Sequence, residues 1–285
     1  MSGTPQSFAI ITDSTADLPN TLAAEKGIAV VPLLVSFGED SFPDGTLSQS
    51  QFFQRMAEAS KLPTTSQPSV GAFTEAYERA LETAREVVSI HISSGLSGTV
   101  AAARQAAEAF AGRVRVFDSL NLSGGLALQV LDAADARSAG LGVSDTIARL
   151  EKTRDRAKMI VGLDSLENLA RGGRIGKVSA FVGSLLDLKV TLTLDEDGKF
   201  TPVKRTRGEK AAIAHTLDWI EAAMGGVRTG VFAVGHAMTA ERASMIRDQI
   251  AARFDATDII MYEAGSVVST HTGTVWGVAV LPVSA

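Results

Sequence analysis

The sequence predicts an α/β fold divided between two domains, and three observations support this prediction. The length of 285 residues exceeds the ~100–200 residues of a common single domain. Strand-like and helix-like segments alternate through the first half, as in βαβ units that build a parallel sheet. From Lys158 onward the pattern changes to a mixture of a hairpin, helices and strands. We therefore predict an N-terminal α/β domain over residues 1–157 and a C-terminal α/β domain over residues 158–285.

The N-terminal domain begins with the β-branched segment "FAIIT" at 8–12, which predicts a strand. A helix is predicted from about Pro19 to near Gly27, because glycine readily adopts the left-handed conformation just beyond a helix. The segment "IAVVPLLVSF" at 28–37 predicts a second buried strand, in which Pro32 indicates an edge position or a bulge.

Two serines mark the starts of the next two helices. Ser48 and Gln51 form a capping-box pattern ahead of "FFQRMAEA". Ser69 precedes a segment in which apolar side chains recur at the helical i, i+4 spacing, namely Phe73, Tyr77 and Leu81. Two further strands, "VVSIHI" and "RVRVFDS", are predicted with the helix "TVAAARQAAEAF" between them. Helices near 123–139 and 144–156 complete this domain.

The C-terminal domain begins with the strand-like segment "KMIVGL". The segment "KVTLTLDEDGKFTPVKR" predicts a hairpin, because Asp197 and Gly198 favour a tight turn between two alternating strands. The remaining patterns predict helices at 208–224 and 239–253 and three strands, "VFAVGH", "DIIMY" and "WGVAVLPV".

Composition and charge argue against several classes of function. The chain is 45% hydrophobic and 21% charged, as in an ordinary globular protein. Its net charge of −5 argues against a general affinity for nucleic acid. Six basic residues nevertheless form two clusters, which a solvated surface would also explain: Arg171, Arg174 and Lys177, and Lys204, Arg205 and Arg207. With no cysteine, the chain has no disulfide, thiolate metal site or cysteine nucleophile.

Motifs for targeting and for metal binding are also missing from the sequence. The longest apolar run, at 28–37, is far shorter than the ~18–20 residues of a membrane-spanning helix. The first residues lack the basic segment and long apolar core of a secretory leader, so we expect a cytoplasmic protein. The four histidines show no HExxH motif, and we predict no metal and no cofactor.

The loop "HISSGLSGT" at 91–99 is informative because it follows a predicted strand and opens a helix. A serine nucleophile would require the G-x-S-x-G arrangement, whereas here the second glycine, Gly98, comes one position early. Gly98 and Thr99 instead begin a helix whose free N–H groups favour an anion, either a phosphate or a carboxylate. Helix capping by Ser97 is a simpler explanation, but it accounts for only one of the hydroxyl residues.

Three other segments carry possible ligand-binding residues. "TTSQPS" at 64–69 is a second hydroxyl-rich turn ahead of a helix, and capping by its last serine explains part of it. "ARGGRIGKVS" is not a Walker motif, because Arg171 and Val178 occupy the positions of the first glycine and the hydroxyl residue. "THTG" places His271 among hydroxyl groups at a predicted turn between strands, where it could meet an anion.

Taken in order, these segments resemble the DegV family of fatty-acid-binding proteins over nearly the whole chain. The resemblance rests on nine motifs: "TDSTADLP", "VVPL", "DG", "TSQPS", "ISSGLSGT", "GGRIGKVSAFVGSLLDLK", "KRTRGEKA", "GHA" and "HTG". It implies a largely parallel sheet in the first domain and a mixed sheet in a smaller second domain. It also implies a long-chain fatty acid with a buried tail and a carboxylate near the domain interface. A separate dihydroxyacetone-kinase-like fatty acid kinase would phosphorylate that carboxylate, and the acyl-phosphate would feed phospholipid synthesis.

The resemblance also implies roles for individual residues of this binding subunit, which is not itself expected to be an enzyme. Thr65 and Ser97 would donate hydroxyl hydrogen bonds to the carboxylate. Gly98 would add a backbone N–H, and His271 would lie beside the headgroup. Two basic residues would face the phosphoryl group or the kinase, namely Arg174 and Arg205.

One departure from the family and two alternative functions follow from the residues. Thr274 and Val275 stand where members commonly have Pro-Gly, and the bulky Trp276 follows, so we expect an altered pocket wall. A carrier of another lipid or apolar acid is one alternative, because a hydroxyl clamp recognises a carboxylate rather than a tail. The other is a hydrolase or phosphotransferase that uses Ser97 with His271, although the nucleophile elbow and the Walker loop are missing.

Overall fold

The computed structural model describes residues 6–181 and 188–283. Residues 182–187 of the predicted "GGRIGKVSAFVGSLLDLK" motif lie outside this part of the chain. The strands are β1 (Gln6–Asp13), β2 (Ile28–Val31), β3 (Leu34–Phe37), β4 (Asp40–Pro43), β5 (Thr64–Ser66), β6 (Ala84–His91), β7 (Val114–Asp118), β8 (Lys158–Leu163), β9 (Leu188–Leu194), β10 (Phe200–Arg207), β11 (Thr229–Ala237), β12 (Asp255–Glu263) and β13 (Val275–Pro282). The α-helices are α1 (Asn20–Glu25), α2 (Gln49–Glu58), α3 (Val70–Leu81), α4 (Thr99–Ala107), α5 (Ser123–Ser138), α6 (Val143–Arg156), α7 (Glu167–Arg171), α8 (Glu209–Met224), α9 (Ala240–Arg253) and α10 (Ser266–Thr272).

The first sheet is wholly parallel, with the strand order β2-β1-β6-β7. The predicted helix starts next to it are confirmed. Ser48 forms a capping box with Gln51, and the Ser69 side chain accepts from the N–H of Ala72. Because parallel strands need crossover connections, helices and loops cover both faces of this sheet.

The single strand predicted over residues 28–37 is wrong. Pro32 lies between β2, an edge strand of the parallel sheet, and β3, the centre of a separate antiparallel sheet of order β4-β3-β5. Proline cannot donate to a strand ladder, so the chain changes sheets at this residue. Strand β2 is also only half buried, because Ala29 and Val30 are exposed on its outer edge.

The second large sheet has the order β10-β9-β8-β13-β11-β12. It is mixed, because β11 and β12 are parallel while its other neighbouring strands are antiparallel. The predicted hairpin with its turn at Asp197 and Gly198 is confirmed as β9–β10. Helix α6 ends at Arg156 and β8 begins at Lys158, which is the position at which we divide the chain. The structure therefore confirms an α/β fold with one parallel sheet and a second, mixed sheet.

Helix α5 lies between the two large sheets and packs against strands of both, including β1, β11 and β13. Leu126, Val130 and Ala133 on this helix have no exposed surface and share one apolar core with both sheets. Burial of this kind contributes about 25 cal/mol for each Å² of apolar surface removed from water. The core therefore joins the two sheets across α5.

The side chain of Trp276 lies on the face of the mixed sheet that is turned away from α5. It packs over Gly162, its indole N–H donates to Thr216 Oγ1 at 3.3 Å, and the Arg242 guanidinium lies 4.3 Å from its ring. Its neighbour Val275 faces the core that the two sheets share, because adjacent residues of a strand point to opposite faces. Of the residues that depart from the family pattern, Val275 and not Trp276 therefore lies on the side of α5.

Candidate functional site

A cavity of about 310 Å³ lies beyond the carboxyl ends of β1 and β6, where ligands commonly bind in open parallel sheets. Its polar lining includes Thr15, Thr65, Gln67, Ser97, Arg174 and His271. Its apolar lining includes Leu33, Ile92, Leu96, Leu122, Phe200 and Val268. The cavity thus combines a group of hydrogen-bond donors with an apolar wall that both large sheets and α10 supply.

Thr65 and His271 come from distant parts of the chain and meet in this cavity. Thr65 Oγ1 lies 2.8 Å from His271 Nε2. Burial, together with the nearby charge of Arg174, lowers the pKa of His271 to about 4. The imidazole is therefore neutral at pH 7, and its Nε2 either accepts from or donates to the Thr65 hydroxyl, depending on the tautomer.

The turn predicted at "THTG" is wrong, because His271 lies in the last turn of the helix α10. Two carboxyl groups hold the start of this helix: the Gly265 N–H donates to Asp17 Oδ1 at 2.9 Å, and the Val267 N–H donates to Asp44 Oδ1 at 3.3 Å. At the other end, the α-carbon of Gly172 lies directly against His271 Nδ1, where a Cβ would clash. The helix is thus fixed at both ends, and this fixes the imidazole.

Ser97 lines the cavity from the loop before α4, and its Oγ lies 2.8 Å from Thr99 Oγ1. Gly98 precedes the first residue of α4, next to the cavity. The side chain of Gln67, which lines the cavity, lies so close to the Gly98 α-carbon that a Cβ would overlap it. Glycine at this position therefore allows the two hydroxyl-rich loops to approach each other.

The turn of the β9–β10 hairpin supports the same loop from the side of the mixed sheet. Ser93 Oγ donates to the carbonyl of Gly198 at 2.8 Å and accepts from the N–H of Gly95 at 3.0 Å. Cβ atoms at Gly95 or Gly198 would collide with the facing segment. The position of Ser97 thus depends on contacts between parts of the chain about 100 residues apart.

The two predicted basic residues lie in different places. Arg174 lines the cavity and donates from Nη1 to the carbonyl of Gly172 at 2.7 Å; within residues 6–181 and 188–283 it forms no ion pair with a carboxylate. Arg205 lies on β10 with an exposed side chain and does not line this cavity. The structure therefore brings together four of the six residues, places Gly98 beside them and leaves Arg205 outside.

A small inner cavity of about 20 Å³ lies deeper, between α5 and the mixed sheet. It shares Leu122, Phe200, Val268 and Thr272 with the lining of the larger cavity. Its own lining includes Val161, Gly235, Tyr262, Val275 and Gly277. Gly235 belongs to the "GHA" motif and Val275 to the departure from the family pattern, whereas no sequence signal marks Val161, Tyr262 or Gly277, because such residues in strands look the same in a pocket and in a core.

The hydrolase alternative is not supported by the hydrogen bonds. In the part of the chain that the structure describes, the buried Nδ1 of His271 has no partner, so no carboxylate orients it as a general base. A second histidine, His91, bonds Ser89 Oγ at 2.6 Å and Asp13 Oδ2 at 3.0 Å. Ser89 and His91 have no exposed surface, so a substrate cannot reach them.

Comparison with known proteins agrees with the sequence resemblance. A model of the DegV family, described as uncharacterised proteins, matches residues 7–283. The chain belongs to the DegV family. A DegV domain-containing protein of Deinococcus radiodurans is 39% identical over 98% of this chain and 100% of its own length. One of Listeria monocytogenes is 36% identical over 93% of this chain and 95% of its own length.

Solved structures of DegV proteins share this fold. A fatty-acid-binding DegV family protein of Thermus thermophilus is 35% identical, with a TM-score of 0.93 over 97% of this chain and 100% of its own. DegV of Bacillus subtilis, a fatty acid binding protein, is 29% identical, with a TM-score of 0.87 over 98% of this chain and 100% of its own.

Among the residues that the structure describes, no helix has the length and apolar character of a membrane span. Within the same residues, no three or more His, Cys, Asp or Glu side chains are grouped so that they could hold a metal ion.

Proposed function

We propose that this DegV protein binds one long-chain fatty acid in the cytoplasm, with the carboxylate at Thr65, Ser97, Gly98 and His271. The observation that carries the proposal is the lining of the main cavity, in which donors cluster near Arg174 and apolar walls lead inward. The fatty-acid-binding relatives from Thermus thermophilus and Bacillus subtilis support the same ligand. The hydroxyls and the neutral imidazole supply hydrogen bonds, and Arg174 supplies positive charge.

The free energies contributed by the tail and by the headgroup differ in size, and this separates their roles. Burying roughly 14 methylenes of a sixteen-carbon tail at ~0.8 kcal/mol each contributes on the order of 11 kcal/mol before ordering costs. One charge-assisted hydrogen bond to the carboxylate contributes only about 1.5–3 kcal/mol. The tail therefore provides most of the affinity, while the clamp fixes the orientation of the carboxylate.

We further propose that the protein presents this carboxylate to a separate dihydroxyacetone-kinase-like fatty acid kinase. A carboxylate oxygen would attack the terminal phosphate of ATP and form an acyl-phosphate, with ADP as the leaving group. Arg174, at the cavity, and Arg205, on the exposed strand β10, would serve the acyl-phosphate or the kinase. The product would supply acyl groups to phospholipid synthesis, and the chain would act as the binding subunit.

The first test is mass spectrometry of the small molecules released when freshly purified protein is denatured. We expect a long-chain fatty acid in about equimolar amount. Recovery of a different apolar acid or lipid would favour the alternative carrier. An empty protein that also takes up no added fatty acid would contradict the proposal.

The division of roles is tested with Ser97→Ala in a fatty-acid-binding assay and in acyl-phosphate formation with the kinase. We expect affinity to fall by about tenfold, because one hydrogen bond to the carboxylate is lost. We expect acyl-phosphate formation to fall much further, because orientation is lost as well. Arg205→Ala is the matched comparison: it should retain fatty acid binding, and loss of binding in that variant would overturn the role given to Arg205.

A further inference from the structure

The inner cavity adjoins an open cleft, and the two share part of their lining. The cleft has a volume of about 710 Å³ and lies beside Asp17, Asp44 and the start of α10. Three residues line both the cleft and the inner cavity, namely His236, Tyr262 and Ala264. Tyr262 is the largest of them, and it therefore forms most of the wall between them.

The ring of Tyr262 lies across neighbouring strands of the mixed sheet. Tyr262 on β12 pairs with Gly235 on β11, which in turn pairs with Gly277 on β13. A Cβ at Gly235 would overlap the tyrosine ring, and a Cβ at Gly277 would lie 4.0 Å from the hydroxyl. Gly235 thus leaves the space that the ring occupies, and Gly277 lies beside the hydroxyl at ordinary contact distance.

Hydrogen bonds fix the far end of this ring. The hydroxyl of Tyr262 accepts from the backbone N–H of Gly124 at 3.0 Å and lies 3.1 Å from the Ser123 hydroxyl. Ser123 and Gly124 begin helix α5, which covers the inner cavity. Only 7% of Tyr262 is exposed. The wall is therefore a rigid part of the core and not a surface side chain that moves aside.

We propose that Tyr262 is the end wall of the acyl-chain cavity and sets the longest fatty acid that this protein accepts. This inference rests on the proposed function, and it assigns the polar cavity to the carboxylate and the inner cavity to the methyl end. None of the residues proposed to bind the carboxylate lines the inner cavity. The tail therefore runs inward past Leu122 and Phe200 and ends against the ring.

The test is a chain-length profile of affinity for saturated fatty acids of about 12 to 22 carbons on delipidated protein. In the wild-type protein, affinity should rise about fourfold for each added methylene and then fall once the cavity is full. Tyr262→Ala opens the inner cavity toward the cleft, so the rise should continue for at least two more carbons, a gain of about sixteenfold for those acids. Tyr262→Phe retains the ring and should restore the wild-type limit.

A second variant is predicted to act in the opposite direction. Gly277→Ala places a methyl group in the inner cavity, 3.3 Å from Val161 Cγ1, and should shorten the longest accepted chain by at least one carbon. Phe254→Ala is the control for the loss of stability that follows when a large core side chain is replaced by a small one. It belongs to the core on the other face of the sheet and should leave the length profile unchanged.

The outcomes separate this inference from the proposed function. If the wild-type protein binds fatty acids but Tyr262→Ala and Gly277→Ala both keep its length profile, Tyr262 is not the end wall. If Tyr262→Ala does not fold, the shift in the length profile of Gly277→Ala still tests the inference. If the folded wild-type protein binds no fatty acid of any length, the proposed function itself is wrong.

Discussion

Asp17 is a buried carboxyl group that contacts the helix carrying His271. Its Oδ1 accepts from the N–H of Gly265 at the start of α10, and the Ser123 hydroxyl donates to its Oδ2. Burial is the main cause that raises the pKa of Asp17 to about 8; repulsion from Asp44 and Asp13 raises it further, and the two hydrogen bonds oppose the shift. Asp17 is therefore largely protonated at neutral pH, while the unfolded chain titrates near 4.

This shift predicts how stability depends on pH. Between about pH 4 and 8 the folded state holds a proton at Asp17 that the unfolded state has lost, so the free energy of unfolding falls as the pH rises. Asp17→Asn removes this titration. The free energy of unfolding is measured with urea at pH 5 and at pH 8. We expect its decrease between these two pH values to be smaller in the variant than in the wild type, by at least about 1 kcal/mol.

Asp155→Asn provides the matched control, because Asp155 is an exposed carboxylate on α6. It should retain the wild-type pH dependence. A slope in Asp17→Asn equal to that of the wild type would show that Asp17 is not protonated in the folded protein.

Single residues were predicted best where a hydroxyl, glycine or charge forms part of a motif. Thr65, Ser97, Arg174 and His271 all line the main cavity, although nothing in the sequence shows their distances. Tyr262 was missed, since an aromatic residue in an apolar strand has the same pattern whether it fills a core or closes a cavity.

At the scale of elements, the hairpin β9–β10 has a role beyond its own two strands. Its turn supports the loop that carries Ser97, through Ser93 and the close approach of Gly95 and Gly198. Gly198 has φ of +68°, in the left-handed region, and the Ser93 side chain fills the space in which a Cβ would lie. The turn therefore needs glycine both for its backbone conformation and for contact with the loop.

This contact predicts that Gly198→Ala is more harmful than a glycine substitution at an open turn. Gly140 has φ of +82° with no neighbouring atom near its missing Cβ, so Gly140→Ala measures the backbone cost alone. We expect Gly198→Ala to lower the free energy of unfolding by at least about 1 kcal/mol more than Gly140→Ala, and to weaken fatty acid binding. Equal losses in stability, with unchanged binding in both variants, would contradict the supporting role of the turn.

Helices and strands with a clear hydrophobic periodicity were predicted well, and short helices and strands were not. Helices such as α3 and α8 and the hairpin follow from spacing, capping and turn residues. The sequence predicts a turn where helix α10 lies, because its seven residues are rich in serine, threonine and valine and have low helix propensity. The helix is held by two carboxyl groups that are distant in the sequence. Strand β5 has three residues and exists only through its pairing with β3. Tertiary contacts decide both cases.

At the scale of the whole molecule, α5 makes the two sheets depend on each other. Eleven of the sixteen residues of α5 are buried, and the core that it shares includes Phe8 of the first sheet and Ala279 of the second. A domain boundary near residue 157 divides the chain into two parts, but both parts contribute to this core. Separating the two parts would expose apolar side chains on both.

We therefore predict that the protein unfolds in one cooperative transition, with equal calorimetric and van't Hoff enthalpies in scanning calorimetry. A bound fatty acid should raise the midpoint temperature of that transition without splitting it, because the ligand binds only the folded state. Two resolved transitions, with only one shifted by fatty acid, would contradict this prediction and would favour independent domains.

The buried hydrogen bonds from Asp13 through His91 to Ser89 resemble those of a hydrolase active site. They place a carboxylate, an imidazole and a hydroxyl in the order found in a catalytic triad, at 3.0 and 2.6 Å. The ring of Phe73 lies over His91, and Tyr77 bonds to Ser89 from the other side. A geometric template for esterases would thus select a serine that an electrophilic inhibitor cannot reach. Solvent access, and not the arrangement of three side chains alone, distinguishes a nucleophile from a structural hydrogen-bond chain.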